Sequence, residues 1–488
     1  MKLAAVCAAI RAIEPREIAG TVRSVRGLVL SVDQLPLPVG SLVRVEVPHR
    51  TDAPRGEVVG FDGSRALVML LTEADGVSSG VRVVAEQPFA TVGVSEAWLG
   101  RVVDALGEPI DGKGPIHGGS PQPLWPARTS PLTRCVVRDV LPTGVRAIDS
   151  MLTIGKGQRM GIFAGPGVGK STLLGSIARG TSAQVNVIGL IGERGREVPE
   201  FIEHVLGEEG MRRSIVVVAT GDESPLMRVR AATVACSAAE FFRDQGLDVL
   251  LMLDSITRFA QAQRQIGLSA GEAPATKGFT PSVFSMLPRL LERAGALQGG
   301  GSITGFYTVL VEGDDMTEPI ADAAKGILDG HILLSRKLAE RVHYPAIDVL
   351  ASISRVADQV SDQNHLNARR HVTRLLGAYR EAEELIQIGA YAKGSNADVD
   401  AAIALKPVID AFLKQGSSER AEFPRTLRSL IELSLAAETA GRRGGQPQNQ
   451  QPNQQPNQQP NQQPNQQPNQ QQNQQQNQQQ NQQQARTA

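Results

Sequence analysis

The stretch Ala164-Gly165-Pro166-Gly167-Val168-Gly169-Lys170-Ser171-Thr172 stands between two different hydrophobic patterns. It follows the apolar run from Arg159 to Ala164 and precedes a segment in which Leu173, Leu174 and Ile177 recur with helical spacing. Glycines in such a loop let backbone N–H groups turn toward phosphate oxygens, and the helix N-terminus adds its dipole. The stretch therefore predicts a phosphate-binding loop (P-loop) between a buried strand and a helix.

The residue types in this loop predict ATP as the ligand and Mg²⁺ as its companion ion. Lys170 has the position of the lysine that reaches the β- and γ-phosphates, and the Ser171 hydroxyl is suited to Mg²⁺. The usual pattern begins with Gly, and Ala164 is a small residue in that place. The expected nucleotide-binding residues of the loop are Gly165, Pro166, Gly167, Val168, Gly169, Lys170, Ser171 and Thr172.

Apolar runs that alternate with helical stretches on either side of the loop predict an α/β fold with a parallel sheet. Fully buried parallel strands read as continuous apolar segments, because helices cover both faces of the sheet. We therefore expect a RecA-like P-loop core, with Met227 to Gln245 as one of its helices. The expected strands are Arg159 to Ala164, Val185 to Ile191, Ser214 to Ala219, Val249 to Leu253 and Ile303 to Val311.

Two acidic residues follow expected strands and are candidates for the chemistry. Asp254 ends the run Val249-Leu250-Leu251-Met252-Leu253, a Walker B pattern that places a carboxylate beside the P-loop to hold Mg²⁺. Glu193 follows the strand ending at Ile191, which we expect to neighbour the P-loop strand. There its carboxylate could polarise an attacking water. Spacing alone leaves a second interpretation open, a charged loop with solvent-facing ion pairs.

The remaining chain divides by composition. Short β-rich runs, such as Leu28 to Val32 and Leu42 to Val47, predict a small barrel or sandwich. An assembly role is favoured for it over nucleic-acid binding. Residues 371–388, 399–414 and 423–440 have helical spacing, and the Gln/Asn/Pro-rich end cannot bury enough apolar surface to order. The expected domains are an N-terminal helix (1–18), a β-barrel (19–92), the ATPase domain (93–365), a helical domain (366–443) and a disordered tail (444–488).

Bulk properties exclude several classes of protein. The 488 residues carry 50 basic and 50 acidic side chains, so no net charge favours nucleic acid. No apolar run approaches the ~20 residues that span a bilayer. Residues 1–10 superficially resemble a signal peptide, but Arg11 ends a short apolar stretch and a helix is favoured. The three cysteines are far apart, which favours buried free thiols in a reducing compartment.

Several motifs together resemble the catalytic subunits of rotary ATP synthases. They are Gly192-Glu193-Arg194, the Walker B run, Tyr344-Pro345-Ala346-Ile347-Asp348 and Ser352-Ile353-Ser354-Arg355. Within that superfamily, residues 266–295 and 311–316 resemble the type III secretion ATPases. The resemblance covers roughly residues 20 to 440.

The resemblance implies roles that the residues alone do not establish. Lys170 would bind phosphate, Glu193 would be the catalytic base and Arg194 would lie close to the γ-phosphate. Tyr344 would pack against the adenine, and Arg355 would reach into the active site of a neighbouring subunit. Both contacts are physically reasonable. For Tyr344 and Arg355 taken alone, a half-buried core tyrosine and a surface ion pair would be the simpler interpretations.

The same resemblance implies a homohexamer that energises type III protein export. The loop Gly165 to Gly169 and the stretch from Leu385 to Asn396 are nearer the flagellar form than the injectisome form. The expected partners are stalk and regulator proteins, chaperone–substrate complexes and the export gate, with no nucleic acid. The expected location is cytoplasmic, peripheral to the inner membrane at the export apparatus.

Three rival functions are weighed against particular features. A proton-driven synthase subunit would carry an acidic turn in the helical domain, and Tyr391 to Asp398 lacks one. A hexameric RNA translocase would favour a basic chain with stacking rings in the barrel, which holds only Phe61 and Phe89. A non-catalytic ring subunit would tend to lose the carboxylate of Glu193.

Overall fold

Six strands close into a small barrel in the computed structural model, which describes residues 17–87, 89–311 and 315–444. They follow the order β1-β2-β5-β4-β3-β6 around the barrel, and buried residues such as Val22, Leu30 and Val83 fill its interior. The predicted barrel is confirmed, and Phe61 and Phe89 are both exposed. Its strands are β1 (Ala19–Arg26), β2 (Val29–Asp33), β3 (Leu42–Glu46), β4 (Arg55–Asp62), β5 (Arg65–Leu70) and β6 (Arg82–Gln87).

Both ends of the chain fall outside this description. Residues 1–16 and 445–488, which carry nearly all of the predicted N-terminal helix and of the predicted disordered tail, are not among the described residues. Within the described ranges, no helix has the length and apolar character needed to cross a membrane.

A large sheet forms the central domain, with strands in the order β17-β16-β10-β15-β13-β11-β12-β8. The strands from β16 to β8 pair in parallel, whereas β17 and the short β14 pair antiparallel at its margins. The predicted parallel sheet is confirmed. Its strands are β8 (Val102–Val103), β10 (Arg159–Ala164), β11 (Val185–Glu193), β12 (Ser214–Thr220), β13 (Asp248–Asp254), β14 (Gly295–Ala296), β15 (Ser302–Leu310), β16 (Gly330–Leu334) and β17 (Ile353–Ser354), while β7 (Thr91–Val94) and β9 (Ser120–Pro123) pair separately.

Helices cover both faces of this sheet, which explains the continuous apolar runs. Along β13, Leu251 and Leu253 belong to one apolar cluster, and Leu250 and Met252 belong to the cluster on the other face. The helices are α1 (Arg146–Met151), α2 (Lys170–Gly180), α3 (Glu197–Glu200), α4 (Gly207–Arg212), α5 (Pro225–Asp244), α6 (Ile256–Ser269), α7 (Pro281–Leu291), α8 (Pro319–Ile327), α9 (Arg336–Glu340) and α10 (Ala357–Val360). A π-helical turn (Phe201–Leu206) separates α3 from α4.

The helix predicted at Met227 to Gln245 is α5, and it begins two residues earlier. The Ser224 side chain accepts a hydrogen bond from the Met227 N–H, and Pro225 occupies the first helical position. Both features favour a helix start there. The Arg230 guanidinium in α5 donates to the Glu57 carboxylate of the barrel at 2.8 Å and to the Ala105 carbonyl, which ties the barrel to the central domain.

Three helices form the C-terminal region, as predicted. They are α11 (Gln363–Gln387), α12 (Ala397–Leu413) and α13 (Phe423–Gly444). The first begins eight residues before the predicted start at His371, because its opening turns are largely polar and hide the apolar period. The Asp362 side chain caps it by accepting from the His365 N–H at 2.8 Å.

The two cysteines within the described residues have different surroundings. Cys236 is buried in α5, as predicted, and burial raises the pKa of its thiol to about 12. Cys135 is exposed, so the prediction of a buried thiol is wrong there. Cys135 lies just after the short helical turn Pro131–Thr133, outside the named strands and helices, and its backbone N–H donates to the Ala296 carbonyl.

Candidate nucleotide site

The P-loop has the local structure that its sequence predicts. Strand β10 ends at Ala164 and helix α2 begins at Lys170. Gly167 and Gly169 have φ angles of 77° and 89°, in the left-handed region that glycine adopts without strain. Ala164 is buried at the strand end, where its methyl group is accommodated. The loop is thus shaped by glycine conformations that a side chain would disfavour.

Lys170 lies between two carboxylates. Its Nζ atom is 2.5 Å from Oδ1 of Asp254 and 3.4 Å from Oε1 of Glu193. Burial by itself would lower the pKa of Lys170, but the charges of Asp254 and Glu193 outweigh burial and the pKa is raised. The structure therefore brings three of the predicted site residues into direct contact.

Glu193 has an environment that raises the pKa of its carboxyl group above the ordinary glutamate value. Burial raises the pKa of its carboxyl group, as do the charge of Asp254 and a hydrogen bond with Glu197, while Lys170 and Arg258 oppose the shift. A carboxylate whose pKa is raised is a better general base than an exposed one. Arg194, its neighbour in sequence, is mostly exposed and pairs with Glu197 at 2.9 Å.

The expected adjacency of the Glu193 strand and the P-loop strand is wrong. Strands β15 and β13 lie between β10 and β11. Helix α2 packs closely against the segment that follows β11, since a Cβ atom on Gly175 would clash with Val205. Strand β11 also extends beyond Ile191, with a register irregularity before Glu193. A long lysine at the start of α2 can therefore meet the end of a strand three positions away.

The residues predicted to hold Mg²⁺ fit that ion. Asp254 is buried at the cavity floor, and its Oδ1 atom accepts hydrogen bonds from Lys170 and Thr308. Ser171 is exposed toward the same cavity. The described residues contain no cluster of three or more His, Cys, Asp or Glu side chains that could hold a metal ion. One carboxylate and one hydroxyl suit Mg²⁺, which takes its other ligands from phosphate and water.

A cavity of about 480 Å³ surrounds these groups. The P-loop forms one wall, and Glu193, Arg194 and Asp254 line the cavity with it. Glu197 and Arg258 also line it, and neither was predicted as a site residue from the sequence. The sequence could have indicated Arg258, because it lies four residues after the Walker B carboxylate, in the first turn of α6.

A second cavity of about 480 Å³ adjoins the other side of the P-loop. Tyr344 lines it and is 43% exposed, so its ring is available for packing. A Cβ atom on Gly169 would lie 3.5 Å from that ring. The arrangement suits a planar base attached to phosphates that the loop holds.

The C-terminal region completes this second cavity with a loop that sequence patterns did not reveal. Gln415, Gly416 and Ser417 line it, between α12 and α13. The Gln415 N–H donates to the Tyr344 carbonyl at 2.9 Å, and Arg179 of α2 donates to the Ser417 carbonyl at 2.6 Å. No motif marks these residues, because a cavity wall of this kind depends only on the packing of distant segments.

Arg355 lies far from the P-loop of its own chain. It follows β17, which pairs with the first residues of β16, and its N–H donates to the Asp329 carbonyl. The P-loop follows the opposite ends of the parallel strands, and a strand of this length spans roughly 15–20 Å. Its exposed guanidinium donates to the Lys325 carbonyl at 3.5 Å. The structure thus does not bring Arg355 to the other predicted site residues.

Three family models match successive parts of the chain. Residues 22–86 match the beta-barrel domain of the ATP synthase alpha/beta family, and residues 144–354 match its nucleotide-binding domain. Residues 361–432 match the C-terminal domain of the type III secretion ATPase EscN.

Relatives are similar over nearly their whole length. The chain is 52% identical to a flagellum-specific ATP synthase of Treponema pallidum, with 87% of this chain and 95% of the relative covered. It is 50% identical to that of Bacillus subtilis over 85% of this chain and 95% of the relative. A type 3 secretion system ATPase of Xanthomonas euvesicatoria is 49% identical, with 85% and 94% covered.

A solved structure has the same fold. The assembled ATPase EscN from the enteropathogenic E. coli type III secretion system is 40% identical, with a TM-score of 0.80 over 85% of this chain and 100% of EscN. EscN in complex with its central stalk EscO gives a TM-score of 0.79 at 39% identity, with the same coverage. The predicted resemblance is confirmed: this chain is an ATPase of the ATP synthase alpha/beta family, in the branch that holds the flagellum-specific ATP synthases and the type III secretion ATPases.

Proposed function

We propose that this chain hydrolyses ATP in a homohexameric ring and that the hydrolysis energises type III export of flagellar proteins. One observation carries the proposal. The similarity to flagellum-specific relatives runs through all three domains, and the C-terminal helices match an export ATPase domain. The helical region is where an export ATPase and a proton-coupled synthase subunit would meet different partners.

The geometry supports a division of roles among the site residues. The P-loop and Lys170 bind the phosphates, and the ammonium group moves from the two carboxylates to the phosphate oxygens. Glu193 then accepts a proton from water as the water oxygen bonds to the γ-phosphorus and the bond from that phosphorus to the ADP oxygen breaks. Ser171 and Asp254 would hold Mg²⁺, and the ion would supply positive charge near the β- and γ-phosphates.

Arg194 and Tyr344 complete the substrate contacts within the chain. Arg194 must leave Glu197 to approach the γ-phosphate, and its exposure leaves it free to do so. Tyr344 packs against the adenine in the cavity closed by Gln415, Gly416 and Ser417. The base-binding cavity therefore couples the ATPase domain to the C-terminal helices.

The placement of Arg355 supports a ring with shared active sites. It lies beside the amino-terminal ends of the parallel strands, whereas its own P-loop follows their carboxyl ends. We propose that it acts on the nucleotide of a neighbouring subunit. The relative EscN has been solved as an assembled ATPase. We propose the same for this chain, with the β-barrel holding the subunits together.

The proposed partners follow from the similarity of this chain to EscN. EscN binds a central stalk, EscO, and we propose a stalk protein and a regulator for this ring. The C-terminal helices would bind chaperone–substrate complexes and face the export gate. The ring would be cytoplasmic and peripheral to the inner membrane. We propose no nucleic-acid partner, because a net charge of zero gives the chain no overall attraction for phosphate backbones.

Deletion of the gene in the native organism tests this proposal. We expect viable, non-motile cells that retain hook and filament proteins inside. Complementation with the wild-type gene should restore motility, and a Glu193→Gln allele should not. Normal motility with loss of effector secretion would assign the chain to an injectisome instead. Normal motility and secretion with impaired ATP synthesis would refute the export proposal.

A further inference from the structure

Thr308 lies on the strand that separates the P-loop strand from the Walker B strand. Its strand, β15, pairs with β10 on one side and with β13 on the other. Thr308 is opposite Ile162 of β10 and is fully buried. Ile162, Phe306 and Met252 belong to the apolar cluster on this face of the sheet. Burying a hydroxyl group in such an apolar layer destabilises the fold unless the group has a hydrogen-bond partner.

The hydroxyl group finds its partner in the Walker B carboxylate. Thr308 Oγ1 donates to Oδ1 of Asp254 at 2.6 Å, and the Leu253 carbonyl lies farther away at 3.4 Å. The hydroxyl has one proton, so the short contact to the carboxylate is its main hydrogen bond. Hydrogen bonds to an ionised acceptor are the strong ones.

Oδ1 of Asp254 therefore accepts two hydrogen bonds, and nucleotide binding affects them differently. Lys170 donates one, at 2.5 Å, and the nucleotide phosphates compete for that same ammonium group. Thr308 donates the other, and nothing in the phosphate cavity competes for its buried hydroxyl. When the Lys170 ammonium group binds phosphate, the hydrogen bond from Thr308 to Asp254 remains.

We propose that Thr308 is a positioning residue: it holds the Asp254 carboxylate in the orientation that receives Mg²⁺ after Lys170 has moved to the phosphates. The inference concerns the ATPase site and does not depend on what the ring exports. A second threonine secures the adjacent backbone, since Thr257 Oγ1 in α6 accepts from the Leu310 N–H at 2.9 Å. Strand β15 is thus joined to the Walker B segment by two hydroxyl contacts at this edge.

The test replaces Thr308 with valine, which keeps the shape and removes the hydroxyl. Loss of a residue that orients a metal ligand typically costs about 10–100-fold in metal affinity. We expect the Mg²⁺ concentration for half-maximal ATPase activity to rise by about that factor, with a smaller change in kcat at saturating Mg²⁺. In thermal-shift measurements, ADP alone should stabilise the Thr308→Val and wild-type proteins equally. The additional stabilisation by Mg²⁺ with ADP should require more Mg²⁺ in the variant.

Two further variants separate the hydroxyl from its packing. Thr308→Ser keeps the hydroxyl and should restore the wild-type Mg²⁺ dependence. Thr304→Val is the matched control. Thr304 is buried four residues before Thr308 on the same face of β15, and its hydroxyl accepts a hydrogen bond from the Gly157 N–H near the start of that strand. This variant should leave the Mg²⁺ dependence unchanged.

Either of two results would overturn the inference. One is a wild-type Mg²⁺ dependence in Thr308→Val, and the other is a Thr308→Ser protein as impaired as Thr308→Val. If the valine variant does not fold, Thr308→Ala removes the hydroxyl with a smaller side chain and takes its place. The ADP measurements involve neither turnover nor export, so a failure here is distinct from a failure of the proposed function.

Discussion

The ammonium nitrogen of Lys170 lies 2.5 Å from Oδ1 of Asp254, so the phosphate-binding lysine and the Walker B carboxylate form a direct ion pair. Nucleotide phosphates compete with Asp254 and Glu193 for that ammonium group. The balance among these three side chains determines the outcome of several substitutions.

Lys170→Ala should abolish ATP binding or turnover, because it removes the cation that meets the phosphates. It also leaves the carboxylates of Asp254 and Glu193 facing the phosphate site without that positive charge. Binding of a fluorescent ATP analogue and steady-state ATPase assays measure the effect. Lys156→Ala is a matched control, since Lys156 pairs with Asp248 at the other end of the sheet. ATPase activity in Lys170→Ala near the wild-type level would contradict the assigned role.

Glu193→Gln should bind ATP and lose hydrolysis by about 10²–10⁴-fold, the usual contribution of a general base. The change keeps the side-chain shape, so the phosphate cradle stays intact. Single-turnover assays with bound ATP separate binding from chemistry. The exposed Glu203 is outside the cavity lining, and Glu203→Gln should behave like wild type. Turnover at the wild-type rate in Glu193→Gln would assign the base elsewhere.

The pH dependence of kcat should have an acidic limb above the ordinary glutamate range. Burial and the charge of Asp254 raise the pKa of Glu193, and only the deprotonated carboxylate accepts a proton. The rate should therefore fall as pH decreases through a pKa higher than the usual value of about 4.3. A kcat profile measured between pH 4 and pH 9, with folding checked at each pH, tests this. A rate that stays flat down to the ordinary glutamate pKa would contradict it.

Arg355→Ala should lose about 10³-fold or more in ATPase rate if the residue acts as an arginine finger. Because Arg355 lies beside the amino-terminal ends of the parallel strands, away from its own P-loop, we expect it to act across a subunit interface. Wild-type activity per chain should then rise steeply with protein concentration. Mixing Arg355→Ala with Glu193→Gln protein should restore some activity, since mixed rings regain complete sites. No recovery in demonstrably mixed rings would argue against action in trans.

A chain that ends at Arg443 should keep the wild-type Tm and near-normal ATPase activity. The removed segment consists almost entirely of Gln, Asn and Pro, which cannot form an apolar core. Differential scanning calorimetry and ATPase assays on both chains measure the two quantities. A large decrease in either would show that the segment makes ordered contacts.

Local patterns predicted the features that depend on neighbouring residues. The P-loop follows from glycines whose positive φ angles shape the turn, as at Gly167 and Gly169. The central strands follow from apolar runs that only a doubly covered sheet can bury. Both end residues of strand β10 were predicted, whereas the start of α11 was missed because its first turns are polar.

The sequence by itself determined the P-loop and the α/β core, and it predicted Lys170, Glu193 and Asp254 as site residues. Only the tertiary structure decided how Glu193 reaches Lys170 past two intervening strands, and that Thr308 holds Asp254. It also placed Gln415 beside Tyr344, and it placed Arg355 at the amino-terminal ends of the parallel strands, away from the P-loop. Backbone conformation and apolar period are set by residues close in sequence. Strand order and cavity walls are set by packing between segments that are far apart in sequence, so no local pattern records them.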